Sequence, residues 1–107
     1  MISPEIEELN LLHAHVCQAL GDPKRLLILY ALNEEPRRVS VLAEDLNMPQ
    51  PTLSRHLSIL RQRSLVFSER DGMAVTYYLS DPRIIKVLDM MRMLLRDALE
   101  RQANLLT

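Results

Sequence analysis

The 107-residue sequence predicts a mainly α-helical fold with a small β-hairpin wing, the winged helix-turn-helix class. A side-chain acceptor precedes proline at Ser3-Pro4, Asp22-Pro23 and Asp81-Pro82, and this pairing is typical of helix starts. The turn at 47–49 separates two short helical patterns. An Asp-Gly pair at 71 and 72 separates two strand-like segments, as in a hairpin. The expected order is therefore four helices, two strands and a fifth helix.

The predicted elements fill residues 1–107 as a single domain. The first helix runs from Pro4 to about Leu20 and ends at Gly21, and the second runs from Pro23 to about Asn33. A helix-turn-helix follows at 40–64, with a first helix at 40–46 capped by Ser40. The wing at 65–80 contains strands at 65–70 and 74–79, and the last helix spans 82–104. The apolar positions expected to be buried are Leu26, Leu27, Leu29 and Tyr30 in the second helix and Leu53, Leu57 and Leu60 in the fourth.

The composition is that of a globular protein, because 48% of the residues are hydrophobic and only two are glycine. No apolar run approaches the roughly 20 residues of a membrane span, so we expect a cytoplasmic protein without a membrane partner. The single cysteine, Cys17, excludes a disulfide within the chain and fits a reducing compartment. No phosphate loop, nucleophile elbow or metal-hydrolase motif occurs, so neither an enzyme nor a bound cofactor is expected.

The fourth helix carries the side chains that point most directly to function. Its faces away from the leucine stripe hold short hydrogen-bonding groups and permanent cations, not the Glu and Lys that a solvated helix more often carries. Groups of this kind contact bases and phosphates in a DNA groove. A packing role for His56 and simple solvation of the arginines are the alternatives. The candidate DNA-contacting residues of this helix are Gln50, Thr52, Ser54, Arg55, His56 and Arg61.

The distribution of charge supports a nucleic-acid partner despite a net charge of −1. Residues 50–70 contain four arginines and one glutamate, a local excess of +3, whereas residues 1–20 contain three glutamates and no lysine or arginine. Lys24 and Arg25 occupy the first turn of a helix, where the helix dipole disfavours cations, and this indicates phosphate contacts. Arg70 near the wing tip is a further candidate for the DNA backbone. Arg37 and Arg38 are interpreted either as backbone contacts or as solvated.

The last helix is too apolar to pack only against its own domain. A stripe of apolar positions alternates by four and three, and further apolar residues widen that face. We therefore expect a homodimer formed through the first and last helices, which would place two recognition helices about 34 Å apart. A thick core helix with exposed methionines is the alternative. The candidate dimerisation residues are Leu9, Leu12, Val16, Ile84, Leu88, Met91, Leu95 and Ala98.

Four segments together resemble the ArsR/SmtB repressors. They are Ala-Leu-Gly-Asp-Pro-Lys-Arg-Leu-Leu-Ile-Leu at 19–29, the stretch from Val39 to Leu46, Gln-Pro-Thr-Leu-Ser-Arg-His-Leu-Ser-Ile-Leu-Arg at 50–61 and Val-Thr-Tyr-Tyr-Leu-Ser at 75–80. The resemblance covers nearly the whole chain in the right order. It implies a homodimeric winged-helix repressor that binds an inverted-repeat operator and is released by an inducer. It also places Gln50, Thr52, Ser54, Arg55 and His56 on the DNA-contacting helix.

The chain departs from this family at the positions that bind inducers. Where soft-metal sensors have Cys-Val-Cys, this sequence has Arg38, Val39 and Ser40, and a cation replaces the thiolates that soft ions require. No histidine follows His56, and Asp89, Asp97 and Glu100 alone would bind a borderline metal poorly. Members with an intrasubunit thiol switch need two cysteines.

One pair of candidate metal ligands remains, because His13 and Cys17 are four residues apart on one helix face. The alternative is a buried, inert Cys17 and an interface role for His13. A small organic effector, a metal at His13 and Cys17, a redox event at Cys17 and constitutive binding are all left open.

The sequence therefore predicts a DNA-binding transcriptional regulator, a repressor acting as a homodimer on double-stranded DNA. The alternative is a winged-helix dimer that binds another protein without specific DNA binding. The overall acidity and the missing sensor cysteines support that alternative.

Overall fold

A computed structural model of the protein describes residues 3–106. We number its elements in chain order and treat the first three consecutive helical segments as one helix, α1. The elements are α1 (Ile6–Leu12, His13–Cys17 and Gln18–Leu20), α2 (Pro23–Glu34), β1 (Arg37–Arg38), α3 (Val39–Asp45), α4 (Gln50–Gln62), β2 (Val66–Asp71), β3 (Ala74–Leu79) and α5 (Arg83–Leu106).

Helix α1 differs from its prediction at its start and in its middle. The predicted start at Ser3-Pro4 is wrong, because the helix begins at Ile6, with Glu5 as an N-cap that makes no side-chain bond. Its middle, His13–Cys17, is a π turn in which the Gln18 N–H donates to the His13 carbonyl, five residues back. The helix ends at Leu20 as predicted, but Gly21 has φ −81° and does not use the left-handed conformation.

Helix α2 begins as predicted and supplies much of the core. Asp22 Oδ1 accepts from the backbone N–H of Lys24 at 2.8 Å and of Arg25 at 3.4 Å, so it caps the helix. Ile28 and Leu29 are completely buried. The predicted burial of Leu27 is wrong, because that side chain is 48% exposed. A step of about 100° per residue turns it away from the face that Ile28 and Leu29 bury.

The helix-turn-helix consists of α3 and α4. Helix α3 starts one residue earlier than predicted, with Arg38 as N-cap, so Ser40 lies inside its first turn and does not cap it. Asn47 adopts φ +50°, its N–H donates to the Glu44 carbonyl, and the Met48 N–H donates to the Ala43 carbonyl at 2.9 Å. This is a Schellman turn, and burial of Met48 anchors it.

Helix α4 is fixed to the core by one stripe of leucines. Leu53, Leu57 and Leu60 are completely buried, which confirms the predicted face. A second Schellman turn ends the helix, because Ser64 has φ +61° and the buried Leu65 donates its N–H to the Leu60 carbonyl. The opposite faces of α4 are thereby presented to solvent at a fixed angle.

The sheet has three antiparallel strands in the order β1-β3-β2. Strand β1 was not predicted; it pairs Arg37 with Tyr77. The β2-β3 register ends with Asp71 opposite Ala74, so the loop consists of Gly72 and Met73, one residue later than the predicted Asp71-Gly72 pair. Gly72 has φ +63°, and glycine at the first loop position is typical of a type II′ hairpin turn.

Helix α5 starts in the core and then leaves it. The Arg83 N–H donates to Asp81 Oδ1 at 2.9 Å, so the predicted start near Asp81-Pro82 is confirmed. Ile85 and Leu88 are buried, so Leu88 belongs to the core of its own chain and its prediction as a dimerisation residue is wrong. Beyond Leu88 the large apolar side chains are exposed. Among the helices of residues 3–106, none is long and apolar enough to cross a membrane.

Candidate nucleic-acid interface

The solvent-facing side of α4 carries most of the predicted DNA-contacting residues. Gln50, Ser54, Arg55 and Arg61 are exposed, and Thr52 is half-buried. Because Leu53, Leu57 and Leu60 hold the helix from behind, these polar groups are presented on a rigid element. The structure thus brings the predicted residues together on one accessible surface.

The described part of the chain places no carboxylate against the arginines of this surface. Within residues 3–106, neither Arg55 nor Arg61 has a carboxylate oxygen within 4.0 Å, and the same holds for Lys24 and Arg70. A guanidinium without an internal partner keeps its five donors for a phosphate or for a guanine edge. The exposed face of α4 is therefore electrostatically and chemically suited to DNA.

A notch separates α4 from the wing and adds an arginine to this surface. Gln50 and Ser54 line it on the helix side, Val75 lines it on the wing side, and Arg38 lines it at the start of α3. Arg38 is exposed and has no carboxylate partner within the described residues. The sequence left open whether Arg38 contacts the DNA backbone or is only solvated. The pairing of β1 with β3 brings Arg38 beside α4, and this pairing could not be read from the sequence.

The wing is a two-stranded hairpin beside α4. Phe67 stacks on Tyr78 with ring centroids 4.9 Å apart and planes 5° apart, which braces the two strands near their base. Arg70 is exposed on β2 opposite Val75. The tip residue Met73 is 99% exposed, so a thioether is the outermost group of the wing.

Arg25 does not extend toward a ligand. Its Nε donates to the Ala19 carbonyl at 2.6 Å and its Nη2 donates to the Gln18 carbonyl at 3.1 Å, both at the end of α1. Its Nη1 lies 3.4 Å from His56 Nδ1. The predicted phosphate contact is therefore replaced by an internal role, because the guanidinium is already occupied by protein acceptors.

His56 turns partly inward from α4. The side chain is half-buried, and its Nδ1 faces the guanidinium of Arg25. Burial lowers the pKa of His56, and the neighbouring cations Arg25, Lys24 and Arg55 lower it further, against the opposing effect of Asp22. This geometry supports the packing alternative for His56.

Arg37 has a structural role. Its guanidinium lies 2.8 Å from Glu34, 3.2 Å from Asp45 and 3.8 Å from Glu35, measured to carboxylate oxygens. These ion pairs tie β1 to the end of α2 and the end of α3. Arg37 and Arg38 are thus adjacent in sequence but opposite in role.

The predicted dimerisation residues lie in two groups, one on α1 and one on α5. On α1, Leu9 and Leu12 are exposed and Val16 is half-buried. On α5, Met91 and Leu95 are more than half exposed, Ala98 is half-buried, and Ile84 packs against the core. The large apolar side chains of α5 beyond Leu88 are therefore not covered by residues 3–106.

The residues proposed as a metal pair lie in the π turn of α1. His13 and Cys17 are both exposed, so the alternative of a buried Cys17 is not met within a single chain. Across residues 3–106 no group of three or more His, Cys, Asp or Glu side chains is arranged to hold a metal ion.

These features are those of the winged helix-turn-helix class of DNA-binding proteins. The family within this class follows from comparison of the sequence with known proteins. Residues 22–67 match the model of the bacterial regulatory proteins of the arsR family. The chain is 38% identical to the nodulation protein NolR of Rhizobium meliloti, over 81% of this chain and 71% of that protein. It is 38% identical to the transcriptional repressor SmtB of Mycobacterium tuberculosis, over 66% of this chain and 53% of that protein.

A solved structure shows the same architecture. The homodimeric winged helix-turn-helix DNA-binding domain of Mb0332 from Mycobacterium bovis superposes with a TM-score of 0.75 and 26% identity, covering 94% of this chain and 95% of that chain. The chain belongs to the ArsR family, which confirms the resemblance found in its sequence. It is a DNA-binding transcriptional regulator.

Proposed function

We propose that the protein is a repressor that binds an inverted-repeat operator as a homodimer, with α4 of each copy in a major groove. The observation that carries this proposal is the exposed face of α4, where Arg55 and Arg61 lack internal carboxylate partners within the described residues. The DNA-contacting residues of the proposal are Gln50, Thr52, Ser54, Arg55, Arg61, Arg70 and Lys24.

These residues divide by the kind of contact that their chemistry favours. Gln50, Ser54 and Arg55 lie on exposed positions of α4 and suit base edges, because amide, hydroxyl and guanidinium groups read the major groove. Lys24, Arg61 and Arg70 suit phosphates, which fix the position of the protein on the duplex. Arg38 in the notch joins this second group.

The dimer is supported by the exposed apolar face of α5 and by the relative from M. bovis, whose solved domain is homodimeric. Exposed apolar surface of this extent is typical of a protein contact. A twofold axis through α1 and α5 would present two copies of α4 about 34 Å apart, the spacing of successive major grooves. The name of the SmtB relative, a repressor, supports the direction of regulation.

A regulator of transcription acts where the chromosome is, so we place the protein in the cytoplasm. Its family is one of regulatory proteins and the SmtB relative is a transcriptional repressor, which supports a role without catalysis.

The test begins by selecting bound duplexes from a random-sequence library with the full chain. An inverted repeat should be enriched, and its affinity should fall steeply with salt, with a log-log slope of several units from about 6 to 10 phosphate contacts. The double variant Arg55→Ala/Arg61→Ala should lower the affinity and reduce the slope, whereas Arg96→Ala on the far part of α5 should leave both unchanged. If no repeat is enriched and no duplex is retained at low salt, the protein-binding alternative is favoured.

A further inference from the structure

Arg25 connects three elements that have different tasks. It lies in the first turn of α2, and its side chain contacts the end of α1 and the middle of α4. Helix α1 belongs to the proposed dimer contact and α4 to the proposed DNA contact. A single side chain therefore bridges the two surfaces on which the proposed function depends.

The bridge uses the fork geometry of the guanidinium. Nε donates to the Ala19 carbonyl at 2.6 Å and Nη2 to the Gln18 carbonyl at 3.1 Å, and the Gln18 carbonyl also accepts the Gly21 N–H at 3.2 Å. Nη1 points to His56 Nδ1 at 3.4 Å and lies 3.9 Å from Asp22 Oδ2. The side chain of Arg25 is only 14% exposed, so these contacts are largely shielded from water.

The contact with His56 requires a neutral imidazole. Arginine has donors only, so His56 Nδ1 must present its lone pair to accept a hydrogen bond from Nη1. Protonation of Nδ1 would remove the acceptor and place two cations in contact. The charged groups around the ring are Asp22, Lys24 and Arg25 from the α1-α2 corner and Arg55 from α4 itself, and the cations outnumber the single carboxylate.

We propose that Arg25 is a positioning residue that fixes α4 against the end of α1 through neutral His56, and that protonation of His56 weakens operator binding by loosening α4. This inference rests on the proposed function, because it assigns the control of the same DNA-contacting helix. In this proposal neither Arg25 nor His56 contacts DNA.

Protonation of His56 would change the DNA affinity in the opposite direction if this side chain contacted DNA. A protonated histidine near phosphates adds a favourable charge, so a His56 that contacted DNA directly would bind more tightly at low pH. The positioning role gives weaker binding at low pH. The lowered pKa of His56 places the change below the ordinary value of 6.5.

The experiment measures operator affinity of the full chain by fluorescence anisotropy from about pH 8 to about pH 5, at constant salt. The affinity of the unmodified chain should fall about tenfold as pH decreases, the scale of one lost charge-assisted hydrogen bond. His56→Asn keeps an acceptor near the position of Nδ1 but does not titrate, so its affinity should stay within about twofold over the range. Arg25→Lys cannot reproduce the fork and should bind about tenfold more weakly already at pH 8.

His15→Asn, which removes a histidine of α1 outside the bridge, is the control and should keep the falling profile. Sedimentation and circular dichroism at each pH establish that the chain remains folded and dimeric. A flat or rising profile of the unmodified chain would overturn the proposal, as would an equal fall in His56→Asn.

In the free protein, the NMR resonance of the Arg25 Nε–H should shift with the His56 titration. An Arg25 signal that ignores that titration would refute the bridge even if no operator were bound, whereas a chain that binds no duplex at pH 8 would contradict the proposed function.

Discussion

Arg37 contacts three carboxylates, whereas Arg55 contacts none within residues 3–106. At the scale of single residues, this difference separates arginines that hold the fold from arginines that are available to a ligand. Arg25 belongs to the first group, although its partners are carbonyls and an imidazole. The sequence alone does not separate these two groups of arginines.

Arg55→Ala tests the second group. If Arg55 makes a bidentate contact to a base, the substitution should weaken operator binding by about 1 to 3 kcal/mol and relax the preference at one base pair. Binding to the selected operator and to its single-base variants measures both effects, with Arg96→Ala as a control that should bind normally. An equal loss on every sequence would show that Arg55 contacts a phosphate.

Which side chains of α4 are buried and which are exposed could be predicted from helical spacing. The burial of Leu53, Leu57 and Leu60 follows from their spacing, and the exposure of Ser54 and Arg55 follows with it. Arg25 was misread because its partner His56 is 31 residues away and its carbonyl partners have no side-chain signature. Contacts of this kind depend on the tertiary fold.

At the scale of elements, the two Schellman turns fix the length of α3 and of α4. The first places Asn47 in the left-handed region, which asparagine tolerates, whereas the second places Ser64 there at φ +61°. Serine has no such preference, so the end of α4 stores conformational strain. The buried Leu65 next to it maintains this conformation.

Ser64→Gly should therefore stabilise the protein. Glycine adopts positive φ without the Cβ clash, so we expect the free energy of unfolding to rise by about 0.5 to 1 kcal/mol. Urea denaturation at a fixed protomer concentration measures the change. Ser58→Gly makes the same substitution inside α4, where φ is helical, and should lower the free energy of unfolding by a similar amount. If both variants are destabilised alike, residue 64 is not left-handed in solution.

The helices could be predicted from caps and apolar periodicity. Where the strands and the hairpin loop differ from their predictions, the difference has a local cause. The starts at Asp22-Pro23 and Asp81-Pro82 were found because aspartate there accepts backbone N–H bonds. Strand β1 was missed because two residues show no alternation, and its pairing with Tyr77 is decided by the wing. The hairpin loop was placed one residue early because Asp71 continues the ladder opposite Ala74.

At the scale of the whole molecule, residues 3–106 leave the apolar face of the outer half of α5 uncovered. Met91 is 53% exposed and Leu95 is 56% exposed, although both are apolar and lie on a well-formed helix. Tyr30 and Arg92 anchor the helix laterally, since the Tyr30 hydroxyl donates to Asp89 Oδ1 at 2.5 Å and the Arg92 guanidinium lies over the Tyr30 ring at 5.2 Å. The apolar face is thus held in a defined orientation for a second copy.

Leu95→Glu should disrupt the proposed dimer. The substitution places a charge in an apolar contact, and we expect the dimer dissociation constant to rise more than about tenfold. Sedimentation equilibrium measures the constant. Lys86→Glu changes the charge at an exposed position of the same helix that is outside the apolar face, and it should remain dimeric. If Leu95→Glu sediments as the unmodified chain does, this face is not the dimer contact.

The π turn of α1 has a consequence for how two copies align. A five-residue step inserts one extra position into the helix, so the apolar residues before His13 and after Cys17 follow different phases around its axis. A uniform helix offers a neighbour several equivalent alignments, each displaced by a whole number of turns. A helix with one phase break offers a single alignment in which both halves fit. The π turn would therefore fix the register in which two copies of α1 pack together.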